Sequence, residues 1–413
     1  MSQVNITINY DEVIALLSKD RNEAFAHLMK KVLDAFLIAE SNEQIGAERH
    51  ERSKDRKDYR NGTRERSLIT RIGSINLRVP RHRNVPFKTM IFDHYQRSES
   101  ALIATMIEMV VQGVSTRKVS NVVEELCGTS ISKSTVSELC TELDGIVDEF
   151  RNRPLNNTYK FILVDAKYFK VRENHSIVSK AFMVAIGITE DGQREVIGFD
   201  IYANESENTW THFLNSLKNR GLNGIAMITT DAHKGLIGAL KEVYPEVAWQ
   251  RCQYHFLKNI LDKVPKKWQK GLSTELREMF TARTIDDARK LRDGIINDYA
   301  DVAPSAMEIL DLGFEDAMTV MLFPENMRVP LRTTNHLERE NGELGRRSDV
   351  IRIFPNAASV NRLMGAVLMD RNNIMSTRKA LFSTKRCTSV LQEVKQKLES
   401  IAQNQEVLLK IAV

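Results

Sequence analysis

Two aspartates stand directly after apolar runs. Asp165 follows Phe161-Ile162-Leu163-Val164, and Asp231 follows Ile225-Ala226-Met227-Ile228-Thr229-Thr230. Such runs suit buried strands, and open α/β sheets hold ligands at the carboxyl ends of their strands. Two carboxylates facing each other across neighbouring strands stay ionised together at neutral pH only with a cation between them. Oxygen donors without histidine favour Mg2+ or Mn2+ over zinc. Taken singly, either residue reads more simply as a strand-end cap. A third carboxylate lies in the segment from Thr333 to Arg347. On a helix, Asn335, Glu338, Asn341, Gly342 and Gly345 share one face at spacings of three and four. That face carries a single carboxylate among amides and glycines and no bulky apolar residue, which suits approach to a metal ion or a nucleic-acid backbone. Glu340 and Glu343 fall on other faces and read as solvent-exposed partners of Arg339, Arg346 and Arg347.

Smaller signals adjoin these acids. His233 and Lys234 follow Asp231 and could touch a reacting phosphate; a purely structural role is equally open. Cys252 and His255 offer two ligands where zinc wants four, and no second pair stands at suitable spacing, so packing or DNA contact is the favoured role. Trp210 is expected in a core, with contact to an unpaired base as the alternative.

The elements that must position these residues follow from periodicity. Residues 10–45 predict a helix with Val13, Leu16, Leu17, Phe25, Leu28, Met29, Val32, Leu33 and Leu37 on its stripe. Residues 46–60 predict a polar arm, Asn61-Gly62 a turn, and 68–72 with 75–79 a hairpin turning at Gly73-Ser74 and ended by Pro80. Ile75, Leu77 and Val79 would share one face. Within 99–153 a helix-turn-helix is predicted. Val119, Val122, Val123 and Leu126 line its first helix, Gly128 stops it, Ser132 caps the second, and Val136, Leu139 and Leu143 face inward. Lys133, Ser134, Thr135, Ser137 and Glu138 point outward, residue types that reach bases and phosphates; a three-helix packing unit without a ligand reads the pattern equally well. Beyond Pro154 come strands near 161–164, 177–189 and 194–202, a helix near 207–220, a strand at 225–230, a helix at 234–243 and a strand at 247–251, hence a mixed α/β sheet. Residues 256–330 are helical throughout. The expected division is 1–45, 46–98, 99–153, 154–255, 256–332, 333–380 and 381–413.

Composition narrows the class. With 413 residues, 42% hydrophobic and 27% charged, the chain can bury several cores and is not disordered. No apolar stretch reaches membrane-span length, the amino terminus shows no signal peptide, and four scattered cysteines suggest no disulfide framework, so a reduced cytoplasmic protein is expected. The net charge of +5 is small but unevenly spread: residues 49–88 hold thirteen Lys or Arg against four Asp or Glu. A concentrated basic segment neutralises phosphates and releases their counterions. Arg60, Arg64, Arg66, Arg71, Arg78, Arg81 and Arg83 are its candidate DNA contacts.

Several segments together resemble the Mutator-like bacterial transposases of the IS256 family. They are Leu163 to Arg172, Thr230 to Leu236, Arg251-Cys252-Gln253-Tyr254-His255, Asn335 to Arg347, and Tyr59-Arg60-Asn61-Gly62 with the hairpin up to Arg81. The resemblance implies an RNase H-like core with a DDE triad of Asp165, Asp231 and Glu338, interrupted before the third acid by an all-helical insertion. The intervals of 66 and 107 residues fit that plan. His336 stands where the family usually has a small or apolar residue, and Ala166 where Gly is common; neither removes a ligand. The expected activity is DNA strand cleavage and strand transfer with two Mg2+ or Mn2+ ions, acting on terminal inverted repeats and target DNA, as a homodimer and without a membrane. Asn335, Asn341, Arg346 and Arg347 are candidates for support of the acids or backbone contact. A nuclease that only hydrolyses, or a regulator that only binds DNA, are the competing readings.

Overall fold

The computed structural model describes residues 11, 14, 21–51, 54–70, 73–89, 100–127 and 130–411, which divide into two compact units, residues 1–142 and 143–413. Val13, Leu16, Leu17, Arg71 and Gly128, named above, lie outside the described residues.

In the first unit, α1 (Arg21–Ile45) packs on a hairpin of β1 (Arg60–Thr70) and β2 (Gly73–His82). Leu37 meets Leu68, Ile75, Leu77 and Val79, so the strand alternation predicted from sequence holds. Phe25 on the same helix is exposed. Three expectations for the hairpin shift. Pairing runs through Thr70 opposite Gly73 and Ile69 opposite Ser74, which makes Gly73-Ser74 part of β2. Asn61 and Gly62 lie inside β1 at a register irregularity, where the positive φ of Gly62 serves a bulge and not a turn. Pro80 sits within β2 opposite Thr63, tolerated because a two-stranded ribbon has free edges on which its missing N–H is no loss. The polar segment before β1 is tied down: the Arg60 guanidinium donates to Asn42 Oδ1 (2.5 Å) and to the Ala47 carbonyl (2.7 Å).

Helices α2 (Ser100–Val111), α3 (Thr116–Cys127) and α4 (Lys133–Leu139) enclose a small core of Leu102, Ile103, Met106, Val119, Val123, Ile131 and Val136. The Ser132 hydroxyl caps α4 by accepting from the Thr135 amide at 3.1 Å. Leu126, expected inside, is exposed, because Val119 and Val123 already fill the interface and Leu126 falls one turn beyond it.

The second unit opens with α5 (Leu143–Asn152) and is built on a five-stranded sheet of order β5-β4-β3-β6-β7. Its strands are β3 (Tyr159–Glu173), β4 (Ser176–Thr189), β5 (Arg194–Tyr202), β6 (Met227–Thr230) and β7 (Ala248–Arg251). The first three form an antiparallel meander, turned at Gly192 with φ +80°; β6 and β7 add in parallel. Helices α6 (Glu207–Asn219) and α7 (Lys234–Val243) cover one face, burying Trp210, Phe213, Leu217, Leu236 and Leu240 against Ile162, Val164, Met183 and Ile228. Trp210 is thus a core residue, fully buried.

Between β7 and Glu338 runs a wholly helical stretch: α8 (Gln253–Leu261), α9 (Lys266–Phe280), α10 (Ile285–Tyr299) and α11 (Pro304–Met318), around a core of their own, and then α12 (Glu325–Leu331). The chain then returns as α13 (Asn335–Ile351), α14 (Ala357–Ser376) and α15 (Thr384–Ile411). Among the described residues no helix is long and apolar enough to cross a membrane.

Candidate active site

Asp165 does not end its strand. β3 continues eight residues beyond it, because Tyr168 to Arg172 alternate outward and inward, with Phe169 and Val171 buried, and pair with β4 along their length. What ends near Asp165 is the parallel ladder with β6, whose last pair on β3 is Leu163 opposite Thr229. Two residues further along stand Asp165, still within β3, and Asp231, the first residue after β6, on neighbouring strands about 4.8 Å apart. Side chains alternate across a sheet, so Asp165 and Lys167 lie on the face opposite Val164 and the α6–α7 core.

That opposite face receives α13. Its Asn341 donates Nδ2 to Asp165 Oδ2 at 2.8 Å, while the Ala166 amide donates to Oδ1 at 2.9 Å. A Cβ on Gly345 would stand 3.0 Å from Lys167 Nζ, so the glycine expected from sequence to allow close approach admits a lysine. Burial, and then the negative charge of Asp231, push the Asp165 carboxyl up to about 7; Glu205 and Glu338 add to the same field. The charges of Asp231 and Glu338, far apart from it along the chain, thus both reach Asp165.

Glu205 had no signal in the sequence. It precedes α6 in a loop pressed against α7 at Gly235, where a Cβ would come within 2.7 Å of the Glu205 carbonyl oxygen. Only a residue without a side chain permits that approach, and it brings Glu205 into the field of Asp231 and His233. Burial raises the Glu205 carboxyl, the Asp231 charge adds to this, and His233 opposes it.

Cys252 and His255 act on α13. The buried Cys252 thiol meets both the hydroxyl and the amide of Thr334, each at 3.4 Å, and Thr334 is the N-cap of α13. One turn along α8, His255 Nε2 stands 3.1 Å from Glu338 Oε1. Thr229 Oγ1 donates to the Leu331 carbonyl (2.8 Å) and the Gln253 amide to the Arg332 carbonyl (3.0 Å), closing the root of the helical stretch beside both acids. The motif thus packs against the start of α13, with Cys252 on its N-cap and His255 beside Glu338.

The remaining predicted residues divide. Asn335 is exposed at the start of α13, Arg346 pairs with Glu343, and the His233 amide approaches Asp231 Oδ1 at 3.3 Å. Lys234 opens α7 and is exposed. Glu340 corrects the expectation of a solvent-facing acid: it is 2% exposed, in the buried stripe with Leu337 and Leu344, and its charge is met by Arg371 of α14. His336 is half-buried beside Arg194 (3.3 Å), and its partial burial with that cation pushes it down to about 4. In the first unit, Lys133, Ser134, Thr135, Ser137, Arg64, Arg78, Arg81 and Arg83 are exposed, Arg66 is half-buried, and Arg60 is spent on the anchoring bonds described above.

The chemistry of the cluster is that of oxygen donors short of positive charge. Besides the contact between them, Glu338 Oε1 and His255 Nε2 have no aligned hydrogen-bond partner among the described residues, and Asn341 Oδ1 is buried and unpaired. Buried acceptors left without donors are costly unless a cation occupies the site. Among the described residues no three His, Cys, Asp or Glu side chains form a closed metal shell. A hard cation of the Mg2+ type does not need one, since it is held by one or two carboxylates and completes its octahedron with water and substrate phosphate.

The sequence matches the family model described as "Transposase, Mutator family" over residues 1–377. It is 44% identical over 385 residues, 92% of this chain and 98% of the relative, to the transposase for insertion sequence element IS256 in transposon Tn4001 of Staphylococcus aureus. It is 40% identical to the transposase for ISRM5 of Rhizobium meliloti, covering 84% of this chain and 87% of that one. To the transposase for IS1081 of Mycobacterium tuberculosis it is 34% identical, covering 87% and 88%. The cluster of distant carboxylates thus sits in a chain that belongs to the Mutator family of transposases, with IS256-type relatives along nearly all its length.

Proposed function

We propose that this transposase binds the terminal inverted repeats of an insertion sequence and cuts and joins DNA through a DDE triad of Asp165, Asp231 and Glu338 on an RNase H-like core. The observation that carries the reading is the convergence on Asp165: a carboxyl with raised affinity for its proton, held by Asn341 and facing the charges of Asp231, Glu205 and Glu338. The strand order, with an antiparallel meander extended by two parallel strands, is compatible with such a core. The three acids would hold two Mg2+ or Mn2+ ions, which when bound neutralise charge developing on the scissile phosphate. Asn341 fixes the orientation of Asp165, His255 and Cys252 that of Glu338, and Lys167 adds a cation on the same face. Water attacks the phosphodiester at the element end, breaking its P–O3′ bond to leave a 3′-hydroxyl and a 5′-phosphate; that hydroxyl then attacks a phosphorus of a second strand, forming a new P–O bond as that strand's own 3′-oxygen leaves, and no protein–DNA covalent bond forms. The basic 49–88 segment and α4 provide the end-binding surface, and the joining of two ends calls for a dimer.

The test is a plasmid assay with the full chain and end-bearing DNA in Mg2+ or Mn2+. Joined strand-transfer products, lost on chelation, are expected; cutting without joining would leave a nuclease, and binding without either a regulator.

A second expectation concerns His255. Groups that orient metal ligands typically contribute 10- to 100-fold in affinity or activity. His255→Ala should therefore raise the half-saturating Mn2+ concentration by about tenfold, with His255→Asn between it and the parent. Cleavage rates across a metal titration read this directly; an unchanged midpoint would assign His255 to packing alone.

A further inference from the structure

Charge in the helical stretch is sharply segregated. Residues 258–270 contain five lysines (Lys258, Lys263, Lys266, Lys267 and Lys270) and one acid, Asp262, whereas 271–332 contain twelve Asp or Glu against seven Lys or Arg. All five lysines are exposed, and none has a carboxylate within ion-pair distance among the described residues. Two of them, Lys266 and Lys267, occupy the first turn of α9, where the helix dipole already presents positive charge. Cations gathered there without partners are unfavourable for the isolated protein. The turn that carries them is nonetheless fixed, since Gln269 Nε2 donates to the Leu261 and Val264 carbonyls, each at 3.0 Å.

Two large rings are exposed in the same stretch of chain. Tyr254 is 48% and Trp268 41% exposed. Tyr254 packs edge-on against His255, 5.5 Å between centroids, and so adjoins the histidine that faces Glu338. Lys258 follows one turn later on the same side of α8. Trp268 is held edge-on by Tyr299 at 6.2 Å, with Lys267 Nζ 5.3 Å from its ring centre. Exposed lysines and two exposed aromatic rings thus recur from the start of α8, beside Glu338, to the first turn of α9.

We infer that this stretch is a DNA-binding surface: the lysines follow the phosphates of a strand leaving the active site, and Trp268 stacks on an unpaired base. The inference rests on the transposase reading above for the identity of the polyanion. Lysine tracks supply salt-dependent, sequence-independent affinity, and exposed rings among them add stacking that any base can use.

Binding of the full chain to a fluorescent duplex carrying the element end, blunt or with a single-stranded extension, tests it at several salt concentrations. The triple variant Lys263→Gln/Lys266→Gln/Lys267→Gln should flatten the slope of log affinity against log salt by about 1 for each lysine in phosphate contact. Trp268→Ala should lose preference for the extended duplex by roughly 5- to 100-fold while keeping blunt-duplex affinity. Trp268→Leu, which retains apolar packing on Tyr299, should lose it likewise, and unchanged thermal unfolding of the triple variant separates binding from folding. If the parent binds DNA and every variant matches it in slope and preference, this stretch does not face DNA and the transposase reading stands. If the parent shows no salt-dependent binding at all, both fall.

Discussion

Replacing Asp165 by Asn is expected to stop strand cleavage and, without divalent metal, to make the protein harder to melt near pH 8. The first effect follows from losing a carboxylate whose charge the transition state needs. Several kcal/mol of charge stabilisation are at stake, so the cleavage rate should fall on the order of 10^3-fold or more, with DNA binding retained. The second follows from the sign of the shift. The folded protein holds the Asp165 proton up to about pH 7, against the ordinary aspartate value of 3.8. A carboxyl raised in this way contributes stability that is complete below pH about 4 and is lost as the pH rises through about 7. Asn mimics the neutral form at every pH. With about 1.36 kcal/mol per pKa unit, discounted for a half-buried group, its gain near pH 8 is about 1–3 kcal/mol. Melting curves in chelator from pH about 5 to about 8 should therefore fall for the parent and stay level for Asp165→Asn. Asp231→Ala and Glu338→Ala should also abolish cleavage with end binding intact. If two of the three variants still cut, the triad is misassigned; if Asp165→Asn melts below the parent near pH 8, the electrostatic reading of the cluster fails.

The acids were legible in sequence because each interrupts a pattern: Asp165 and Asp231 follow runs that nothing but a buried strand explains, and Glu338 lies on a helical face without apolar residues. The strand and helix alternation after residue 160 was legible for the same reason, since periods of two and 3.6 survive in short windows. Residues whose role comes from a distant partner were not. Glu205 is one acid in a polar loop, and its place beside Asp231 depends on Gly235, thirty residues later, being small enough to let two backbones meet. The work of Cys252 is done by a helix cap eighty-two residues on. The length of β3 was missed although its alternation was visible, because the apolar run before Asp165 drew the boundary too early. At the hairpin, Asn-Gly and Gly-Ser signals were real but served a bulge and a paired strand, since local turn chemistry does not fix register.

Glu340 is the sharpest case, and it carries the largest expected change in stability. Two residues from Glu338 on the same helix, it lies in the buried stripe, where Arg371 Nε donates to Oε2 at 2.5 Å and Nη2 to Oε1 at 3.1 Å. The hydrogen bond it donates to Glu340 holds the Arg371 guanidinium above its usual value. Removing one partner strands the other charge inside the protein, at a typical loss of 3–5 kcal/mol. For a unit of this size, Glu340→Ala should therefore lower the melting temperature by about 6–20 °C. Arg371→Ala should cost a similar amount, and the double variant far less than the two together, because neither charge is then left unpaired. A paired apolar replacement, Glu340→Leu with Arg371→Met, should recover most of the parent's stability, since desolvating two charges consumes much of what their attraction returns. Added Mg2+ should leave these differences unchanged, in contrast to the variants of Asp165. A Glu340→Ala protein melting within about 2 °C of the parent would mean that water reaches Arg371 and that the pair does not set the seating of α13. Two acids, two positions apart on one helix, are thus separable by experiment: losing Glu338 should silence the reaction in a folded protein, and losing Glu340 should loosen the helix that presents it.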